Sequence, residues 1–354
     1  MVQSVQEIIS EVTIEKKVTQ EDSFNRFNKW KALIYSKQMQ QIAETLEDPV
    51  NPKSNQIPYP VNWHIYASNI CPYKCNFCIM KDEKNNNHYL SKKILTKAVD
   101  DATKIGVKLI HFSGGGEPLT NPYLYSTIKR ARTNGIKVAL STNGYYLHRL
   151  TSQVDHLRVS FNAGTREGYL KTHGVDGFEK VKENIKNAVQ NNMGLDTGMG
   201  FVVTPDNYQE VNDFVKIAED CGVNFVHIRP AFWPSRNLEV IEAMSNINPK
   251  SDKVQIYSVT GKFDGFWNNK KYPCRATPMH AVLSASGDFL ICQDRFNLRF
   301  GDYYNQSFDA AWFSKAHFEA IKGAQNCGIR CVECRANELI QKVFVENNLR
   351  RELI

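Results

Sequence analysis

WHIYASNICPYKCNFC, residues 63–78, joins a short alternating run to a loop that carries Cys71, Cys75 and Cys78. WHIYAS has the period of a half-buried strand, so the three cysteines lie just past a strand's C-terminal end. Three residues separate the first two thiols and two separate the second pair. On a four-iron cubane, three thiolates leave one iron without a protein ligand, an open position on a redox-active metal. Ferredoxin spacings supply a fourth cysteine nearby, whereas here none follows Cys78 until Cys221. A zinc site completed by a distant residue, or three reduced core thiols, is the alternative reading.

Outward from this stretch the pattern repeats. KLIHFS (108–113), KVALS (137–141), HLRVSF (156–161), GMGFVV (198–203) and NFVHIRP (224–230) read as strands. Segments with helical spacing separate them and end near Gly or Asn, as in SKKILTKAVDDATKIG and NYQEVNDFVKIAEDCG. Such β-α units imply a parallel sheet with crossover helices, and six strands imply a partial (β/α)6 barrel over residues 61–235. In sheets of this kind the chemistry collects at the C-terminal strand ends. After residue 235 the rhythm stops. HAVLSASGDFLIC (280–292) reads as a β-hairpin, a helix follows over 307–322, then Cys327, Cys331 and Cys334, and a last helix over 336–348.

The cysteine loop, with Phe77 in C-x-x-x-C-x-aromatic-C, resembles the signature of the radical S-adenosylmethionine superfamily. HFSGGGEPL, after the second strand, is similar to that family's glycine-rich motif. The resemblance implies a [4Fe–4S] cluster with one open iron and S-adenosylmethionine as cofactor. Phe77 would lie near the adenine, and Gly115 and Gly116 would let backbone approach the methionine end. Glu117 would accept from the cofactor ammonium. STNG (141–144) resembles a cofactor-contacting segment, with Ser141 and Asn143 as donors; Ser160 and Asn162, in RVSFNAGT, would face the ribose or carboxylate. Each motif alone is also an ordinary strand-end turn. Lys171 and His173 either reach the carboxylate or sit at the surface.

Cys274 and Cys292 bracket the hairpin, with Gly287 five residues before the second, and Cys331 and Cys334 form a C-x-x-C pair. Four thiolates suit a closed [4Fe–4S] cluster or structural zinc. The pattern C-x12-G-x4-C with a late C-x-x-C resembles the SPASM/twitch extension of radical enzymes, which implies one auxiliary [4Fe–4S] cluster in a small C-terminal α+β domain, residues 236–354. Its spacing is similar to that of the 2-deoxy-scyllo-inosamine dehydrogenases. Cys221 reads as a small buried hydrophobe. Cys327 is a spare thiol, an alternative cluster ligand or a hydrogen-atom donor to a substrate radical.

Lys and Arg number 44 against 37 Asp and Glu, a mild basic excess of +7 over 354 residues. It suits a solvated basic surface or an anionic small substrate, and nucleic acid is not expected as a partner. The N-terminus shows neither a signal-peptide h-region nor a membrane span, and nine cysteines are better explained by metal than by disulfides, so a cytoplasmic location is expected. Residues 1–60 read as a helical extension and linker, with Phe27, Trp30, Leu33, Ile34 and Met39 at helical spacing.

The resemblance implies a radical enzyme that takes a substrate C–H hydrogen and draws on an external one-electron reductant such as flavodoxin or ferredoxin. The substrate expected is a sugar, aminocyclitol or nucleotide-linked sugar, oxidised, epimerised or dehydrated; His227, Arg229, Trp233 and Arg236 either line its site or are ordinary barrel-rim residues. A ribosomal-peptide maturase is the alternative, disfavoured because residues 1–60 show no strand pattern for a leader-binding domain. A non-catalytic Fe–S or zinc protein that binds RNA is a more distant one.

Overall fold

The computed structural model describes residues 29–52, 56–81, 87–231, 237–258, 272–293, 295–326 and 335–346. Seven strands follow in parallel: β1 Asn62–Ser68, β2 Leu109–Gly115, β3 Lys137–Thr142, β4 His156–Ser160, β5 Thr197–Val203, β6 Phe225–Pro230 and β7 Gln255–Ser258. The first six match the runs read from the sequence. The four-residue β7 lies beyond residue 235, where the rhythm of the sequence stops; QIYS is too short to show a period.

Alternation on each strand sorts the chemistry. On β1, Trp63, Ile65 and Ala67 join the core beneath the crossover helices, while Tyr66 faces the barrel interior. On β4, Leu157 and Val159 enter that core, and Arg158 and Ser160 face inward. The helices supply the matching apolar stripes. Lys92–Lys104 starts at Ser91, whose hydroxyl accepts from Ile94 N–H, and buries Ile94, Leu95, Ala98, Val99 and Ala102. The barrel is therefore apolar outside and polar within, and the polar residues open toward the C-terminal strand ends.

The expected hairpin is present as β8 His280–Leu283 and β9 Asp288–Cys292, and β10 Arg295–Asp302 extends it. It does not form a sheet of its own. β8 runs parallel to β1, with Asn62 opposite His280, so one ten-stranded sheet holds the barrel and the C-terminal strands.

The described part of the N-terminal segment is helical, as expected: a 3-10 turn Lys29–Tyr35 and a helix Ser36–Thr45 that buries Met39, Ile42 and Ala43. That helix packs on the C-terminal stretch Ile340–Val345. Buried Arg275 locks the junction by donating to the Leu46 and Glu47 carbonyls at 2.8 and 2.7 Å and to Gln341 Oε1 at 2.6 Å. Among the described residues no helix is long and apolar enough to cross a membrane.

Candidate functional site

Cys71, Cys75 and Cys78 are partly buried thiols in the loop after β1. All three line a cavity of about 360 Å³ at the C-terminal ends of the strands. A short helix, Arg166–His173, holds the loop in place. It starts at Thr165, whose hydroxyl accepts from Gly168 N–H, and stops at Gly174, which adopts a left-handed φ of 68°. The last carbonyls of a helix lack internal partners. Here Thr172 and His173 offer theirs to the cysteine loop, accepting from Asn76 N–H at 3.1 Å and Lys74 N–H at 2.8 Å.

His173 completes the dock. Its Nε2 lies 2.8 Å from the Phe161 carbonyl, which can only accept, so Nε2 carries the proton and Nδ1 faces Cys75 Sγ at 3.1 Å. The side chain is buried, not at the surface, whereas Lys171 is exposed. Tyr73, inside the C-x-x-x-C segment, is buried among Tyr145, Tyr169 and His173, with its hydroxyl 2.7 Å from that of Tyr169. Sequence reading missed this aromatic seat. Its only signal was two tyrosines near other motifs.

The glycine turn binds the loop from the other side. Gly116 N–H donates to Ser68 O at 2.6 Å and Glu117 N–H to Ile70 O at 2.8 Å. A Cβ at Gly116 would stand 2.3 Å from Ile70 O, so only glycine permits this approach. Glu117 is buried and ties the exit of β2 to that of β3. Its Oε1 accepts from Thr142 Oγ1 at 2.6 Å and Leu119 N–H at 3.1 Å, and its Oε2 accepts from Asn143 N–H at 2.7 Å. The carboxylate expected to receive a cofactor ammonium thus already holds three donors of the chain.

Phe77, Gly115, Gly116, Glu117, Ser141, Asn143, Ser160 and Asn162 line the same cavity as the three thiols. Phe77 packs beside Val202, Ala231 and Val240, giving the cavity one apolar wall. Asn162, at a left-handed φ of 58°, accepts from Val202 N–H through Oδ1 and is fixed there. Ser141 Oγ lies 2.9 Å from His111 Nε2, and Asn143 Nδ2 reaches toward Cys71 Sγ at 3.9 Å.

Below these residues the barrel is cationic and imidazole-rich. Arg158 and Arg229 line the cavity floor with His111. Burial, with Arg229 nearby, lowers the Arg158 guanidinium to about 9. Deeper still, desolvation pushes His64 down to about 3 and His280 to about 4, and holds His111 well below the usual imidazole range. Arg158 was missed by sequence reading, although its place two residues before Ser160 on a strand gives the two the same face.

In the C-terminal region Cys274 and Cys292 are partly buried thiols. Cys327, Cys331, Cys334, Trp233 and Arg236 lie outside the described residues. Cys221 is buried, as expected, and burial pushes its thiol up to about 11.

The donor set at the cavity mouth is three thiols, the ligand class of iron–sulfur clusters. Among the described residues no three His, Cys, Asp or Glu side chains converge as ligands of a single ion do.

Residues 65–218 match the Radical SAM superfamily, and that match supports a [4Fe–4S] cluster and S-adenosylmethionine at this site. A Saccharolobus islandicus protein named "Probable GTP 3',8-cyclase" is 32% identical over 171 residues, 46% of this chain and 54% of its own length. A Sulfurisphaera tokodaii protein of the same name is 27% identical over 210 residues, 55% of this chain and 66% of its own length. The chain thus spans about half the length of the first of these curated relatives. Streptococcus suis SuiB bound to precursor peptide SuiA superposes with a TM-score of 0.58 at 16% identity, covering 89% of this chain and 76% of that one. That likeness shows a shared fold.

Proposed function

We propose that the protein is a radical enzyme that takes a hydrogen atom from a small, sugar-containing, anionic substrate held in the cavity below Cys71, Cys75 and Cys78. One observation carries the reading: the three thiols and the eight residues named for the cofactor line a single cavity at the strand ends. The cluster and S-adenosylmethionine, once bound, supply a 5′-deoxyadenosyl radical.

The chain's own part is placement and exclusion of water. Tyr73 and His173 fix the thiol loop, Glu117 fixes the turn and strand end that flank it, and Phe77 offers an apolar wall for a flat ring. Sugars, aminocyclitols and nucleotide-linked sugars suit the polar floor, and the likeness to proteins named for a GTP cyclisation supports a nucleotide among them. Cys274, Cys292, Cys331 and Cys334 are proposed to hold an auxiliary [4Fe–4S] cluster of the twitch type, able to accept the electron left on a substrate radical. Cys327 is the proposed hydrogen-atom donor for an epimerisation. A flavodoxin- or ferredoxin-like protein would deliver the starting electron.

With a strong reductant and S-adenosylmethionine, the reconstituted protein is expected to release 5′-deoxyadenosine, and a Cys71/Cys75/Cys78→Ala triple variant is not. Equal yields would refute the assignment. Turnover of candidate sugars in deuterated water then separates the outcomes: deuterium at carbon means a thiol quenched the radical, and a ketone means oxidation.

A further inference from the structure

The cavity floor holds a cation that the proposed reaction has not used. Arg158 projects inward from β4, and its Nη1 stands 3.2 Å from His227 Nδ1. A guanidinium only donates, so His227 Nδ1 accepts and that imidazole is neutral. Among the described residues no carboxylate pairs with Arg158. The cavity lining contains one acid, Glu117, and three donors of the chain occupy it. A second guanidinium, Arg229, lines the same floor and opposes the charge on Arg158.

A part-buried cation whose partner is neutral is poorly compensated, and a second cation beside it adds repulsion. An anion bound here would offset that repulsion. S-adenosylmethionine, a sulfonium with one ammonium and one carboxylate, brings no net negative charge. Space is present as well: on the neighbouring β5, Gly200 faces Arg158, with Arg158 Cδ 3.8 Å from where a Cβ would sit.

We propose that Arg158, flanked by Arg229, is an oxyanion-binding subsite that takes a carboxylate or phosphate group of the substrate. This rests on reading the cavity as the reaction chamber, and it makes anionic charge a requirement for recognition. The planar fork of arginine binds either group in a two-pronged manner that lysine does not reproduce. The same chemistry exists in the cofactor's own carboxylate, so the test must separate the two sources.

Reconstituted holoenzyme saturated with S-adenosylmethionine is titrated by calorimetry with inorganic phosphate and, separately, with acetate at constant ionic strength. Binding of at least one anion is expected, weakened by about tenfold or more in Arg158→Gln and by less in Arg158→Lys. Glutamine keeps a donor for His227 Nδ1, so the variant without anion should unfold at a temperature no lower than the parent. Three results would each overturn the proposal: neither anion binds the parent, Arg158→Gln binds as tightly as the parent, or that variant is less stable without anion, as a purely structural arginine would require. A fall of about tenfold in S-adenosylmethionine affinity in Arg158→Gln would assign the subsite to the cofactor and overturn it too. The titration needs no turnover. A protein that binds anions through Arg158 but forms no 5′-deoxyadenosine would remove the proposed reaction and leave the subsite standing.

Discussion

Gln325 grips the backbone of Cys274 at both polar groups: its Oε1 accepts from Cys274 N–H at 2.8 Å, and its Nε2 donates to the Cys274 carbonyl at 3.1 Å. Asn337 brackets the same residue from its two neighbours, accepting from Arg275 N–H at 2.7 Å and donating to Pro273 O at 3.1 Å. Gln325 stands two residues before Cys327 and Asn337 three after Cys334. Both ends of the stretch with the late cysteines are therefore tied to the segment of Cys274.

Breaking both grips should release that stretch. A Gln325→Leu/Asn337→Leu variant leaves four backbone groups without these partners and should lose about 1–3 kcal/mol per site. The reconstituted parent should hold about eight irons, and the variant about four, since the cluster at Cys71, Cys75 and Cys78 does not depend on these amides. Iron and sulfide assay measures it. Full iron in the variant would remove the proposed role of the clasp.

Two glycines make a matched pair for the turn. Gly116→Ala drives a Cβ to 2.3 Å from Ile70 O, while Gly200→Ala meets nothing nearer than 3.8 Å. Backbone must move in the first case, and the cost should be about 2–4 kcal/mol, with lost S-adenosylmethionine binding. The second should fold and bind cofactor like the parent. Urea titration and calorimetry check both, and equal behaviour of the two variants would refute the close-approach argument.

Buried imidazoles predict an acid-sensitive fold. Burial lowers His64 to about 3 and His280 and His317 to about 4, against 6.5 for the free ring. The unfolded chain then takes up protons first, so stability is full above about pH 6.5 and falls as pH drops toward the folded values. Each ring should cost roughly 2 kcal/mol at pH 5 relative to pH 8. His317 donates from Nδ1 to Trp312 O at 2.6 Å and stacks on Phe300, so a His317→Asn variant, which keeps a donor, should flatten the dependence by one ring's share. Denaturant midpoints at pH 8, 6.5 and 5 decide it, and a slope unchanged by the substitution would count against neutral burial of His317.

The parallel order, the thiol loop and the glycine turn were legible because each rests on local rules: a period of two, a spacing of cysteines and a run of glycines. Arg158, Tyr73 and His173 were not, because their partners lie far along the chain. His173 meets Cys75 across 98 residues, and Tyr73 meets Tyr169 across 96. The addition of β8 to β1 was hidden for the same reason: HAVLSASGDFLIC announces a hairpin but not the edge it joins. Glu117 was legible as a motif carboxylate, but its hold on Thr142 and Asn143, 25 and 26 residues away, was not.

The dock of the thiol loop on the helix end yields the sharpest test. Gly174 and Gly106 both hold left-handed backbone, at φ of 68° and 78°. Alanine at either costs about 1–2 kcal/mol of backbone strain. A Cβ at Gly106 meets nothing within 4 Å, but at Gly174 it comes 3.2 Å from Lys74 Cβ, beside the N–H that donates to His173 O. If that carbonyl seats the loop, Gly174→Ala should lose the iron held by Cys71, Cys75 and Cys78, seen as about four irons fewer per chain, while Gly106→Ala retains it. Both should melt a few degrees below the parent, about 2–4 °C per kcal/mol. Strain alone predicts equal iron in the two variants, so the difference between them isolates the dock. Equal iron would mean that the cysteine loop holds its cluster without help from the helix end.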